Sequence, residues 1–121
     1  MRRPRPSETL GDYVRDARQR ANLRLRELAE ELGITPSYLS DIENDRRVPS
    51  QEVLEGIARR LHLDLDELLA RAGRLDPDTE RYLRRSPAAV RLFRRIAEHH
   101  LDEADLKDLE QRAERLGQRK K

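Results

Sequence analysis

Four of five successive residues, Ser37, Tyr38, Ser40 and Asp41, offer hydroxyls and a carboxylate, groups that can hydrogen-bond a polar ligand. Arg46 and Arg47 follow directly. Exposed arginines usually do no more than solvate a turn, but this position, just after a polar helix face, favours phosphate. Tyr38 has two readings, a contact with a phosphate or thymine methyl and packing against the preceding helix. The first is favoured, because Leu39 and Ile42 already supply the inward face. An aspartate in such a row can accept from cytosine N4. Catalysis is not expected: the chain has no cysteine, no glycine-rich phosphate loop and no HExxH pattern, and helix caps and surface faces account for its other acids. No cofactor is implied. His99 and His100, flanked by Glu98 and Asp102, match no zinc spacing. Neighbours on a helix point about 100° apart, and histidine suits a helix C-terminus, so the pair reads as structural and no metal is expected.

The elements that must position these residues are marked by caps. Ser7 is expected to cap a first helix over about 8–21, with Leu10, Val14, Ala17 and Ala21 on one face and Asn22 at its end. A short helix over 25–32 follows, with Leu25, Leu28, Ala29 and Leu32 inward, and Gly33 stops it in the left-handed conformation. Thr35 and Pro36 open the next helix as cap and first residue. A glycine turn this tight crosses two helices steeply and lets the second project into a major groove about 12 Å wide, its N-terminus favouring phosphates. Ser50 caps a fourth helix over about 51–61 with Val53, Leu54, Ile57, Ala58 and Leu61 buried. Asp64 and Glu67 read as a capping box opening a fifth helix to Ala72, closed by Gly73. Three more helices are expected over about 77–85, 87–100 and 103–116, the last capped by Asp102.

Composition limits what these helices can build. In 121 residues, 36% are hydrophobic and 41% charged, with Phe93 and three tyrosines as the aromatics, so the core is narrow and the class all-α. Disulfides and thiolate metal sites are excluded, and no apolar run approaches the ~20 residues that span a bilayer. The basic start MRRPRPSE leads into a charged helix and does not read as a signal peptide, so a soluble, cytoplasmic protein without membrane contact is expected. Charge balance alone does not argue for DNA: residues 1–75 carry 14 basic and 14 acidic side chains, and residues 76–121 carry 12 and 10.

The run from Leu25 to Asn44, LRELAEELGITPSYLSDIEN, resembles the Cro/C1-type helix-turn-helix family, also called the XRE family. The resemblance extends through Val48-Pro49-Ser50, Leu54, Ile57-Ala58 and Leu68-Leu69, and covers about residues 7–73. It implies a five-helix lambda-repressor-like DNA-binding domain followed by a short C-terminal helical segment. The overall layout is similar to short biofilm-type repressors with a helical oligomerisation segment. By position, the resemblance implies base-edge contacts from Ser37, Tyr38 and Asp41, with Thr35 and Ser40 beside them. It implies backbone phosphate contacts from Arg24, Asn44, Arg46 and Arg47, and a buried structural ion pair between Arg18 and Glu43. The sequence departs from the family pattern in two places. Leu25 replaces a glutamine whose amide anchors phosphate, and Arg24 replaces a Ser/Thr cap worth ~1 kcal/mol, although its own charge can supply the phosphate contact. Asp41, near Glu43 and Asp45, is the other departure.

These readings divide the chain into a flexible basic arm (1–6), the DNA-binding domain (7–73), a hinge (74–76), a helical dimerisation or regulatory segment (77–117) and a basic tail (118–121). The arm reads as disordered when free and as a minor-groove ligand when bound. In the helical segment, Val90, Phe93, Ile96 and Ala97 share one face, and Leu106, Leu109, Ala113 and Leu116 recur at seam spacing. Such faces either fold back on the first domain or pair with a second subunit. Pairing is favoured, since one recognition helix covers only ~4–5 base pairs and specificity calls for two half-sites. The expectation is a homodimeric repressor of double-stranded DNA with a palindromic operator, open to a regulatory protein at its C-terminal helices. The alternative is a protein-interaction module, an antitoxin or anti-regulator, with secondary DNA binding.

Overall fold

The structure, a computed structural model, describes residues 8–120. Among them every regular element is a helix: α1 (Leu10–Arg20), α2 (Leu25–Leu32), α3 (Pro36–Glu43), α4 (Gln51–Leu61), α5 (Leu65–Arg71), α6 (Pro77–Arg85), α7 (Pro87–Glu98) and α8 (Glu103–Gln118). The chain divides into two compact units between Pro77 and Asp78. The described helices include none long and apolar enough to cross a membrane.

Four of the five helices of the first unit start where a side-chain oxygen meets an unpaired backbone N–H. Ser7, the expected first cap, lies outside the described residues. Thr9 caps α1 instead, its Oγ1 accepting from Asp12 N–H at 3.1 Å. Thr35 accepts from Tyr38 N–H at 3.0 Å, and Ser50 from Val53 N–H at 3.2 Å. Asp64 accepts from Asp66 N–H at 2.8 Å and more weakly from Glu67 N–H, so it caps α5 alone, without the reciprocal Glu67 bond of a full box. Gly33 ends α2 at φ +71°, where a Cβ would be strained.

The core of this unit is one cluster in which Val14, Leu28, Leu39, Ile42, Leu54, Ile57 and Leu68 are fully buried. Each such side chain contributes about 1.5–3 kcal/mol of transfer free energy. α3 packs against α1 and α2, and α4 packs against α5. Ala17 and Val53, expected inward, are only partly buried, and Ala21 lies beyond the last turn of α1. Tyr13 is buried as well. Arg71 of α5 sits 5.4 Å from its ring and donates to the Glu8 carbonyl, which ties α5 to the start of α1.

In the second unit Ser86 caps α7, and Asp102 and Asp105 cap α8 reciprocally through bonds of 2.9 and 3.3 Å. α7 stops at Glu98, two residues short of the expected end, because His100 takes the left-handed conformation at φ +50°. These three helices contain no buried residue. Ile96 and Leu109 are half-buried, while Val90, Phe93, Leu106 and Leu116 are exposed together with Tyr82 and Leu92.

Candidate nucleic-acid interface

The surface around α3 is fixed from beneath by one carboxylate. Glu43, 2% exposed, accepts from Arg18 Nε at 2.7 Å and Nη2 at 3.1 Å, a bidentate pair, and Arg15 Nε stands 3.5 Å away. Arg18 also donates to the Leu23 carbonyl, and Arg15 to the Glu43 carbonyl and Asn44 Oδ1. Two arginines from one face of α1 therefore hold the C-terminal end of α3.

A second lock lies just past that end. Asp45 turns left-handed at φ +58°, and its Oδ1 accepts from Gly11 N–H at 2.9 Å, capping α1 from 34 residues away. Gly11 allows the approach: a Cβ there would stand 2.3 Å from the Glu43 carbonyl oxygen. The sequence shows Asp45 only as an acid near Asp41, and the apolar periodicity of the first helix does not point to Arg15 or Gly11. An isolated glycine inside a helical pattern was the available signal.

On the outer side of α3, Ser37 is exposed and Ser40 and Asp41 are half-buried. Thr35 spends its oxygen on the cap. Asn44 Nδ2 donates to the Ser40 carbonyl at 2.9 Å and, at 3.3 Å, to its hydroxyl. The chain then folds back, with Arg46 N–H on the Asp41 carbonyl at 2.9 Å, and lays its two arginines along α3. Arg46 Nη1 comes to 3.9 Å from Asp41 Oδ1, and the Arg47 guanidinium to 4.8 Å from the Tyr38 ring centre. Tyr38 is therefore less outward than expected, half-buried against the core cluster.

Arg24 occupies the N-cap of α2, where its side chain has no oxygen to offer. Half of the lost capping is restored from the other side, as Arg24 N–H donates to Glu27 Oε1 at 2.9 Å. The guanidinium is left exposed at the foot of the turn. Of the five helices of this unit, α3 is the one whose first turn carries no acid. The positive end of its dipole is not offset from within the helix.

Residues 14–68, which span most of this arrangement from α1 into α5, match the family model described as helix-turn-helix. The transcriptional regulator ClgR of Mycobacterium tuberculosis is 38% identical over 81 residues, 67% of this chain and 72% of that protein. The chain belongs to the Cro/C1-type helix-turn-helix family. Within that family it is also similar to an uncharacterised HTH-type transcriptional regulator of Mycobacterium tuberculosis, at 40% identity over 67 residues, or 55% of this chain. The chain spans about half the length of that relative, 48%. A solved structure of SinR, the master regulator for biofilm formation, in complex with DNA shares 34% identity, covering 50% of this chain and 98% of that one with a TM-score of 0.47. As a helix-turn-helix family member, the chain carries its family residues on α1–α5, and the match ends before α6.

Proposed function

We propose that this chain is a sequence-specific transcriptional regulator of double-stranded DNA, a non-catalytic cytoplasmic protein that acts as a dimeric repressor on a palindromic operator. The observation that carries the reading is α3 itself: a polar outer face, an N-terminus without an acid, and a C-terminus clamped to α1 through Glu43 and Asp45. Rigid presentation of a short helix is what base readout in a major groove requires. Base edges are met by the face bearing Thr35, Ser37, Tyr38, Ser40 and Asp41, and phosphates by Arg24, Asn44, Arg46 and Arg47.

The dimer rests on α6–α8. Three helices that bury nothing between them leave Val90, Phe93, Leu106 and Leu116 exposed, with Ile96 and Leu109 half-covered. Faces of this kind are covered in solution by a second copy, which brings two recognition helices to half-sites about 34 Å apart. Exposed Tyr82 and Leu92 on the same unit favour a further role, docking of a regulatory protein on these helices.

In vitro selection from a randomised duplex pool tests the whole reading. A palindromic consensus with half-sites one turn apart is expected. A single half-site removes the dimer, and no enrichment at low salt moves the function to protein partners, as an antitoxin or anti-regulator.

A further inference from the structure

Arg46 and Arg47 are neighbours in sequence but sit in unlike surroundings. Arg46 faces a carboxylate, Asp41 Oδ1 at 3.9 Å, so part of its charge is offset within the protein. Arg47 has no carboxylate partner among the described residues and instead lies over the Tyr38 ring at 4.8 Å. The difference matters because a guanidinium stacks through its flat face while its N–H donors lie in the plane at its edge. Stacking on an aromatic ring thus holds the group in place and leaves those donors and the full charge available. The Arg46–Asp41 pair, by contrast, offsets part of the charge.

Tyr38 is suited to be the fixed half of this pair. It stands on the first turns of α3, where Thr35 Oγ1 accepts from its own N–H at 3.0 Å, and it packs against the core cluster. One side of the ring is thereby turned to the core and Arg47 covers another, which leaves little of the ring for a thymine methyl. The mobile half is tethered too: Asp45, two residues before Arg47, is held by Gly11 N–H.

We propose that Tyr38 is a positioning residue, a platform that pre-sets the Arg47 guanidinium for a DNA phosphate, and that it reads no base. Arg47 is then the principal phosphate cation of this turn and Arg46 the lesser one. The inference rests on the DNA-binding reading above and narrows it, leaving Ser37 and Ser40 as the hydroxyls of α3 that face bases.

The test uses the full chain, with fluorescence anisotropy on a duplex selected from the randomised pool and on a scrambled duplex of equal length, over a range of salt. Tyr38→Leu is expected to weaken both duplexes about two- to five-fold without changing the preferred sequence, the effect of an exposed cation–π contact. Tyr38→Phe keeps the ring and binds as the parent does. Arg47→Ala weakens both duplexes and lowers the salt slope by about one. Adding Tyr38→Leu to Arg47→Ala costs nothing further. In the free protein, the ring-current shift on the Arg47 Cδ protons persists in Tyr38→Phe and vanishes in Tyr38→Leu, with thermal unfolding showing both variants folded. A changed consensus for Tyr38→Leu, losses that multiply in the double variant, or no ring-current shift overturns the inference alone. A parent protein that binds neither duplex overturns it together with the DNA-binding reading.

Discussion

Adding one methyl group at Gly11 tests the geometry beneath α3 more severely than any change on its surface. In a solvent-facing helix, Gly→Ala stabilises by about 1 kcal/mol, since alanine loses less backbone entropy on folding. Gly11 has ordinary helical backbone, so that gain would be collected here too. Against it stands the new Cβ, 2.3 Å from the Glu43 carbonyl oxygen, 2.7 Å from the Glu43 carbonyl carbon and 2.8 Å from the Ile42 carbonyl oxygen. All three are backbone atoms of α3 that cannot rotate aside, so α1 and α3 must separate by about 1 Å to reach ordinary van der Waals distance. Overpacking of this kind costs about 1–3 kcal/mol. The separation also stretches the Gly11 N–H bond to the Asp45 carboxylate, 2.9 Å in the parent, and bonds to charged groups contribute about 1.5–3 kcal/mol. The net expectation is a loss of about 2–5 kcal/mol, read as a lower urea midpoint by circular dichroism and a melting temperature down by roughly 10 °C or more. Gly33→Ala is the control. Its Cβ meets nothing within 4 Å, but φ is +71°, so only the left-handed strain of about 1–2 kcal/mol applies. A Gly11→Ala protein as stable as the parent would refute the α1–α3 register described above.

The buried pair gives a second stability test: Glu43→Ala strands Arg18 and is expected to cost about 3–5 kcal/mol by urea unfolding, whereas Arg18→Met with Glu43→Leu comes close to neutral. On the outer face, Ser37→Ala is expected to change which sequence a randomised duplex pool returns while leaving stability within about 0.5 kcal/mol, and an unchanged consensus removes Ser37 from the base-reading set. In the second unit, Phe93→Glu places a charge on an exposed apolar face and is expected to convert the protein to a monomer in sedimentation and to abolish tight binding to a two-half-site duplex. A variant that remains dimeric would move the interface away from α7.

Local punctuation made most of the fold legible. Gly33, Thr35-Pro36, Ser50, Asp64, Ser86 and Asp102 each act within three or four residues of their own position, and helix borders derived from them agree with the structure at α2 and α4 to the residue. Errors arose where a terminus is decided from elsewhere or by a residue with weak preference. α7 ends two residues early because His100 turns left-handed at φ +50° where no glycine marks the stop. The site was less legible than the fold. Asp45 and Gly11 are 34 residues apart, and no pattern of spacing joins them. The Arg18–Glu43 pair is legible only through family resemblance, and the structure adds Arg15 as its third member. Tyr38 was placed outward on a count of inward residues, a rule that ignores the arginine folding back over it.

For a unit of balanced charge, the DNA-binding reading depends on where its acids sit. Glu43 lies beneath α3 with two arginines, Asp45 points at the start of α1, and Glu27 and Asp64 answer backbone N–H groups at other helices. These carboxylates face inward or toward helix N-termini, where they offset dipoles and take no part in an outward field. The phosphate set proposed around α3 includes Arg24, Arg46 and Arg47, with Asp41 offsetting part of Arg46. Two to three effective cations per protomer make about four to six phosphate contacts in a dimer, so log K should fall against log salt with a slope of about −4 to −5. Measured on the selected duplex, a slope steeper than about −8 would refute this count, because the folded units hold too few outward cations near α3 to release so many counterions. The additional charge would then have to come from Arg2, Arg3 and Arg5, and deleting residues 2–6 should return the slope to the value expected here.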